Sequence, residues 1–187
     1  MDVKTAILKR RAYRSLAPAE ITAELIKDLA QCAQLAPSCF NNQPWRYVFI
    51  YETGQLSKVK EALSSGNEWA EAASMIIAVV SKRDLDCVIR DREYVWFDTG
   101  MATAHIILRA TERGLVAHPI AGFSQRKARE ALDVPPDFSV LTLIIVGKHS
   151  DKVSEVLSQK QQHDEGTRPL RLSLEKIAKK NIFSGVE

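Results

Sequence analysis

Hydrophobic residues recur along the chain with two periods, and each period predicts one kind of element. Spacing of three to four residues, as after Thr22 where Leu25 and Leu29 lie one turn apart, predicts amphipathic helices. The predicted helices cover residues 3–10, 22–36, 55–63, 94–113 and 124–132. Largely apolar runs of strand length predict strands at 47–51, 75–80, 116–120 and 140–146, and the run at 75–80 is unbroken. This irregular alternation of helices and strands favours a single α+β domain over residues 1–187.

Two predicted segments depart from the amphipathic pattern. The helix over 94–113 is apolar around most of its circumference, so it is expected at the centre of the fold or in a subunit interface. Gly114 follows it at the position where glycine commonly ends a helix. The last segment, 151–187, is polar and rich in glutamine, and it cannot bury much by itself. It is therefore expected either to fray or to wrap over another surface.

Composition and charge narrow the class of protein further. With 45% hydrophobic and 26% charged residues, the chain has the composition of a soluble globular protein, which we expect in the cytoplasm. A net charge of +3 is too small for a dedicated nucleic-acid binder, and no apolar run suits a membrane span or a signal peptide. The cysteines Cys32, Cys39 and Cys87 are odd in number and lack CxxC spacing, which argues against a disulfide scaffold or a zinc site. The four histidines also lack the spacing of metal ligands.

The loop over residues 36–45 carries the densest set of polar side chains. Its sequence, APSCFNNQPW, places two prolines, three amides, a hydroxyl, a thiol and two aromatic rings between a predicted helix and a predicted strand. The prolines restrict the backbone, so the loop is expected to be stiff. A stiff loop with hydrogen-bonding side chains suits a planar ligand with polar edges, although Pro, Ser and Asn are also common in ordinary turns. We interpret this loop as a ligand site.

A run of basic residues near the N-terminus is the second candidate. If the first helix continued through it, Arg10 and Arg14 would lie four residues apart on one helix face. Two guanidinium groups on one face suit a phosphate, since each donates paired charge-assisted hydrogen bonds. A solvated basic face is the alternative, and the run over 9–14 taken alone favours that alternative. Arg168 and Arg171, near the other end of the chain, could complete a phosphate site.

A third candidate is the stretch 119–123, which lies between a predicted strand and a predicted helix. Gly122 has no Cβ, so the backbone can approach a flat ring closely there, although a plain turn would have the same sequence. The chain lacks the GxGxxG, GxxxxGK[ST], GxSxG and HExxH signatures. A hydrolase or a Rossmann dehydrogenase would therefore lack its usual motif.

In this order, the three candidates resemble the landmarks of the FMN-dependent nitroreductase family, of which the chain would be a short member. The landmarks are an N-terminal helix leading into Arg-Arg-x-x-Arg, a Pro-Ser-x-x-Asn-x-Gln-Pro-Trp loop, a Pro-Ile-x-Gly-Phe turn and a C-terminal basic pair. The resemblance covers residues 2–175 and implies a central mixed sheet flanked by helices, in an intertwined homodimer. It also implies two FMN sites at the subunit interface, with segment 151–187 wrapping the partner subunit.

The resemblance further implies roles for individual residues. The arginines match the phosphate side, the loop matches the ribityl chain and ring, and the turn matches a backbone N–H that reaches flavin N5. Arg14 would lie near the N1/O2 edge and tune the flavin, and Phe40 would line the acceptor pocket. Ala12 and Cys39 stand where serine is usual, and Cys39 would put a redox-sensitive thiol near the ring. The positions that match FMN contacts are Arg10, Arg11, Ala12, Arg14, Pro37, Ser38, Cys39, Asn41, Asn67, Ile120, Ala121, Gly122, Arg168 and Arg171.

The implied activity is that of an FMN-dependent NAD(P)H oxidoreductase. Hydride would pass from NADH or NADPH through flavin N5 to a nitroaromatic, quinone or related acceptor by ping-pong kinetics, without a side-chain acid or base and without a metal. One alternative is a flavin-binding redox sensor or non-catalytic flavoprotein that uses Cys39. Another is a basic structural or nucleic-acid-associated module built on residues 9–14, which the balanced charge disfavours.

Overall fold

Two apolar strands form the centre of the sheet in the computed structural model, which describes residues 1–183. β3 (Met75–Ser81) and β7 (Ser139–His149) pair side by side, and every residue of β3 is buried. β2 (Arg46–Ile50) pairs with the other edge of β3, while β6 (Val116–Ile120) and the short β1 (Leu16–Ala17) both pair with β7.

The α+β class is confirmed, but the strand pairings within residues 1–183 are antiparallel, not mixed as expected. An antiparallel pair needs a connection that leaves and re-enters the sheet at the same end. α3 (Thr53–Lys60) and a 3-10 turn (Glu68–Ala72) make such a connection between β2 and β3, because they double back over one face. A separate short hairpin, β4 (Val88–Ile89) and β5 (Arg92–Glu93), follows β3.

Helices cover both faces of the sheet, because the side chains of a strand point alternately to its two faces. α2 (Ala23–Gln34) and α4 (Tyr94–Glu112) cover one face, and α3 and α5 (Gln125–Ala131) cover the other. Alternate residues of β3 join the two hydrophobic clusters: Met75, Ile77 and Val79 under α2 and α4, and Ile76, Ala78 and Val80 under α3 and α5. None of the helices within residues 1–183 has both the length and the apolar character that crossing a membrane requires.

The first helix ends earlier than the sequence pattern suggests. α1 (Val3–Lys9) is capped as expected by Asp2, but Arg10 leaves the helix with a ψ of 121°. The guanidinium of Arg168 donates to the carbonyls of Leu8 (2.6 Å) and Arg10 (2.8 Å), so it takes the place of helical N–H donors at this end. The arrangement of Arg10 and Arg14 on one helix face therefore does not form.

The C-terminal segment has two parts with different surroundings. In the first part, Leu157 and Glu165 are buried against their own subunit, the latter within α6 (Gln159–Gly166). The second part begins at Pro169, includes the short α7 (Leu174–Ile177), and is largely exposed. Its exposed apolar side chains are Leu170, Leu172, Leu174, Ile177, Ile182 and Phe183. Wrapping of a partner thus stays a prediction for residues from 169 onward, and residues 184–187 lie outside the described part.

Candidate functional site

Five arginine side chains surround one small cavity where residues 10–14 meet residues 164–171. The cavity has a volume of about 190 Å³, and its lining comprises Arg10, Arg11, Ala12, Arg14, Asp164, Arg168, Pro169 and Arg171. The ion pairs that arginines form within residues 1–183 involve other side chains, namely Arg83, Arg109, Arg113 and Arg126. The five positive charges of the cavity therefore face a single lining carboxylate, that of Asp164, without an ion pair to it.

The close approach of several positive charges changes the pKa of Arg10. Burial lowers the pKa of Arg10, and the guanidinium groups of Arg168, Arg171 and Arg11 lower that pKa further. An anion in the cavity would relieve this repulsion. Pockets that enclose a whole small ligand have volumes of roughly 300–1,000 Å³, so this smaller cavity suits the anionic end of a larger ligand.

The C-terminal segment holds the N-terminal arginine segment in place. Arg11 donates to the carbonyls of Asp164 (2.8 Å) and Glu165 (3.2 Å). In return, the carboxylate of Glu165 accepts from the backbone N–H groups of Arg14 (2.7 Å) and Ser15 (3.0 Å). Hydrogen bonds to charged groups contribute about 1.5–3 kcal/mol each, and Glu165 is only 7% exposed. These contacts fix the positions from which the arginine side chains extend.

A buried pair of rings lies beside Arg14. The guanidinium carbon of Arg14 is 6.0 Å from the centroid of the Trp69 ring. The Trp69 ring stacks on the His118 ring with 4.7 Å between their centroids. Burial lowers the pKa of His118 to about 4, and the charges of Arg14 and Arg10 act in the same direction, so the imidazole is neutral at pH 7. Its Nδ1 lies 3.1 Å from the carbonyl oxygen of Tyr13, so this nitrogen carries the proton and donates. The Nε1 of Trp69 is buried without a hydrogen-bond partner in the part of the chain that the structure describes.

The turn after β6 contacts Asn67, two residues before Trp69. The Nδ2 of Asn67 donates to the carbonyl of Gly122 at 2.9 Å. A Cβ at position 122 would lie 2.2 Å from that Nδ2, so any residue larger than glycine requires Asn67 to move. Ile120 is buried, whereas Ala121 is exposed. Asn67 and the turn 120–122 therefore directly adjoin, along the chain, the Trp69–His118 ring pair that lies beside Arg14.

The loop over residues 36–45 lies elsewhere in the subunit. It leads into β2 at Arg46, which pairs with Val80 of β3. Val80 in turn pairs with Val140 of β7, so the loop lies by the Val140 end of β7. The arginine cavity lies by β1, which pairs with the other end of β7 at residues 148–149. Nine steps along β7 at about 3.3 Å per residue separate the two places by roughly 30 Å. One subunit thus brings together two of the three candidate stretches and leaves the loop apart.

The loop has an unusual backbone held by polar contacts. The N–H of Cys39 donates to the carboxylate of Asp98 at 2.6 Å, and the hydroxyl of Ser38 accepts from the N–H of Gln43 at 2.9 Å. Three of its non-glycine residues have a positive φ, namely Phe40 (48°), Asn41 (58°) and Gln43 (50°). Each such residue costs on the order of 1 kcal/mol, so the surroundings must hold this conformation.

The sequence led us to expect a free thiol at Cys39, but the structure has none there. Cys39 forms a disulfide with Cys87, which lies 48 residues further on and has its Cα at 6.3 Å. The number and spacing of cysteines do not reveal which of them the fold brings together, so the expectation of a free thiol at Cys39 is wrong. Cys32 remains free. The loop is thereby linked covalently to the segment before the β4–β5 hairpin.

Three buried residues beside the arginine segment lie outside the sequence prediction: Trp69, His118 and Glu165. His118 precedes the buried Ile120 by two residues, and strand alternation could have placed both on one face. Trp69 follows Asn67 by two residues in a 3-10 turn, and Glu165 is one acidic residue in a polar helix. Neither of the latter has a sequence signal that separates it from an ordinary core or surface residue.

Known proteins resemble this chain in fold and in sequence. The sequence model of the Nitroreductase family matches residues 7–86 and 55–148. A protein of Archaeoglobus fulgidus with the provisional name NADH dehydrogenase/NAD(P)H nitroreductase is 26% identical over 154 residues, which cover 78% of this chain and 84% of that protein. A solved oxidoreductase containing FMN superimposes with a TM-score of 0.84 at 26% identity, covering 99% of this chain and 94% of that one. A provisionally named nitroreductase from Exiguobacterium sibiricum, solved in complex with FMN, superimposes with a TM-score of 0.77 at 23% identity. The superposition covers 97% of this chain and 98% of that one.

The antiparallel sheet between two helical layers is the fold of the nitroreductase-type oxidoreductases. The family match extends over more than half of the chain. The chain therefore belongs to the nitroreductase family.

Proposed function

We propose that this protein is an FMN-dependent NAD(P)H oxidoreductase that reduces nitroaromatics, quinones or related acceptors, and that it acts in the cytoplasm, where NADH and NADPH are available. The observation that carries the proposal is the cavity of five arginines without an ion-paired carboxylate, next to the Trp69 and Asn67–Gly122 surface. FMN has an anionic phosphate at one end and a flat ring with hydrogen-bonding edges at the other. When bound, it supplies the hydride chemistry, accepting hydride from NAD(P)H and passing it to the acceptor.

The arginine cavity fits the phosphate end. Arg10 and Arg171 would bind the phosphate directly, and Arg11 and Arg168 would add charge while they hold the backbone. Each charge-assisted hydrogen bond contributes about 1.5–3 kcal/mol. Ala12 offers no hydroxyl, so guanidinium groups carry this end of the binding.

The surface beside Trp69 fits the ring. The Nδ2 of Asn67 is engaged by Gly122, which leaves its Oδ1 to accept from a ring N–H. Arg14, whose backbone N–H is held by Glu165, would place a permanent cation at the ring edge and stabilise negative charge there. His118 is neutral at pH 7, so it does not supply a proton as an imidazolium. This supports a mechanism without a side-chain acid.

We further propose that a second copy of the chain completes the site. In a homodimer, the loop with its 87% exposed Phe40 would approach the arginine cavity of the partner, and residues from 169 onward would lie on the partner surface. Exposed apolar side chains around a second cavity of about 400 Å³, between α1, α2 and α4, also suit a subunit contact; they include Val3 and Leu35. Light scattering should give twice the chain mass of 20.9 kDa, and a monomer would contradict this part of the proposal.

Arg10→Ala tests the phosphate cavity. Loss of one charge-assisted contact of about 1.5–3 kcal/mol should raise the Kd for FMN about 10- to 100-fold, measured by quenching of flavin fluorescence. Added salt should weaken FMN binding to the wild type more than to the variant, because one attractive charge is gone. Arg126→Ala removes the same charge from an exposed pair with Glu130 on α5 and should leave the Kd unchanged. Equal FMN affinity in Arg10→Ala and the wild type would exclude the proposed contact.

Steady-state oxidation of NADPH separates the enzyme from a flavin-binding protein without turnover. The disulfide at Cys39 gives the second possibility some support, because a redox-sensitive group lies in the proposed ligand loop. An enzyme of the proposed type should oxidise NADPH faster when a nitroaromatic or quinone is added. Tight FMN binding without acceptor-dependent oxidation would favour the flavin-binding sensor.

A further inference from the structure

The disulfide between Cys39 and Cys87 joins two loop segments that lie 48 residues apart along the chain. Cys39 begins the 3-10 turn of the ligand loop, and Cys87 precedes the β4–β5 hairpin. Both residues are partly exposed.

Two buried carboxyl groups lie against this disulfide. The Oδ1 of Asp86 is 3.5 Å from the Sγ of Cys87 and accepts from its backbone N–H at 2.8 Å. Asp98, only 2% exposed, accepts from the N–H of Cys39 and also contacts the carboxyl of Asp86. Burial, together with Asp86, raises the pKa of Asp98, although the hydrogen bond from Cys39 opposes this. The Oδ2 of Asp86 is buried without a hydrogen-bond partner within residues 1–183.

We propose that Cys39–Cys87 is a reversible redox site that a dithiol reduces, and that its state controls the conformation of the ligand loop. A thiolate of the dithiol attacks the sulfur of Cys39, and the electron pair of the S–S bond leaves on the sulfur of Cys87. The Cys87 thiolate then takes a proton from water. The second thiol of the reagent then displaces Cys39, which takes a proton from water. The dithiol is oxidised to a disulfide, and the protein gains two thiols.

The loop has a reason to respond to this reaction. Phe40 and Asn41, directly after Cys39, are held at positive φ, and the disulfide ties that strained turn to a separate part of the chain. Reduction removes the covalent tie and leaves hydrogen bonds to hold the loop, namely those of Ser38 and Asp98 and the one from Asn42 to Asp86 at 3.1 Å. In the cytoplasm proposed above, lasting disulfides are uncommon and those present are usually transient or redox-sensing.

Thiol counting tests the redox site directly. The full-length protein is equilibrated with mixtures of reduced and oxidised dithiothreitol, then denatured and treated with a chromogenic thiol reagent. EDTA is present because Cys39, Cys87 and Asp86 lie close enough together to bind a metal once the cysteines are reduced. The count should change reversibly from one thiol, Cys32, to three. Three thiols in the oxidised native protein, or one thiol at every ratio, would overturn the proposal.

One variant tests control of the loop. Hydrogen exchange of residues 38–43 should be faster in the reduced wild type, and in Cys87→Ser at either redox state, than in the oxidised wild type. Unchanged exchange would remove control of the loop by the disulfide.

Discussion

Acidification should destabilise this protein through the buried imidazole of His118. Burial lowers the pKa of this group from 6.5 to about 4, so between these values the folded state binds a proton less readily than the unfolded state does. Stability present at pH 7 is therefore lost as the pH falls through 6.5 toward 4. The gap between the two pKa values corresponds to about 3 kcal/mol in all, of which about 2 kcal/mol is lost by pH 5.

Urea unfolding at pH 7 and pH 5 can measure this loss in the wild type and in His118→Asn. Asparagine keeps an N–H that can reach the carbonyl of Tyr13, and it does not titrate. The variant loses the stack on Trp69 at both pH values, so only the change with pH is compared. The wild type should lose about 2 kcal/mol more than the variant, since all other titrating groups are common to both. An equal loss in the two proteins would refute the assignment of a neutral, buried His118.

Two other substitutions test the contacts that shape the proposed site. Glu165→Ala leaves the N–H groups of Arg14 and Ser15 without their buried acceptor, so it should lower the free energy of unfolding by about 2–4 kcal/mol in urea titrations. The control, Glu130→Ala, removes an exposed carboxylate and should lower it by less than about 0.5 kcal/mol. An equally small loss in Glu165→Ala would contradict the contact. Gly122→Ala brings a Cβ to 2.2 Å from the Nδ2 of Asn67, so we expect a free energy of unfolding lower by about 1 kcal/mol and weaker FMN binding. If the variant bound FMN as tightly as the wild type, this would argue against a contact between Asn67 and the ring.

The elements of the fold follow from local patterns that can be identified in the sequence. The spacing after Thr22 predicts α2, and the apolar run at 75–80 predicts β3, because periodicity reports burial within a single element. Asp2 and Gly114 mark helix ends through contacts and dihedral angles of their immediate neighbours. Strand direction is different, because it depends on how connections pack, and the sheet is antiparallel where a mixed one was expected.

The sequence alone determined the family resemblance, the helices and strands, and the residue types that suit a phosphate and a flat ring. Only the tertiary structure decided which of these residues meet. Arg168 ends the first helix from 158 residues away, Glu165 holds the segment of Arg14, and Cys39 reaches Cys87 across 48 residues. Such contacts depend on packing between distant segments, and a periodic pattern within one segment carries no information about them.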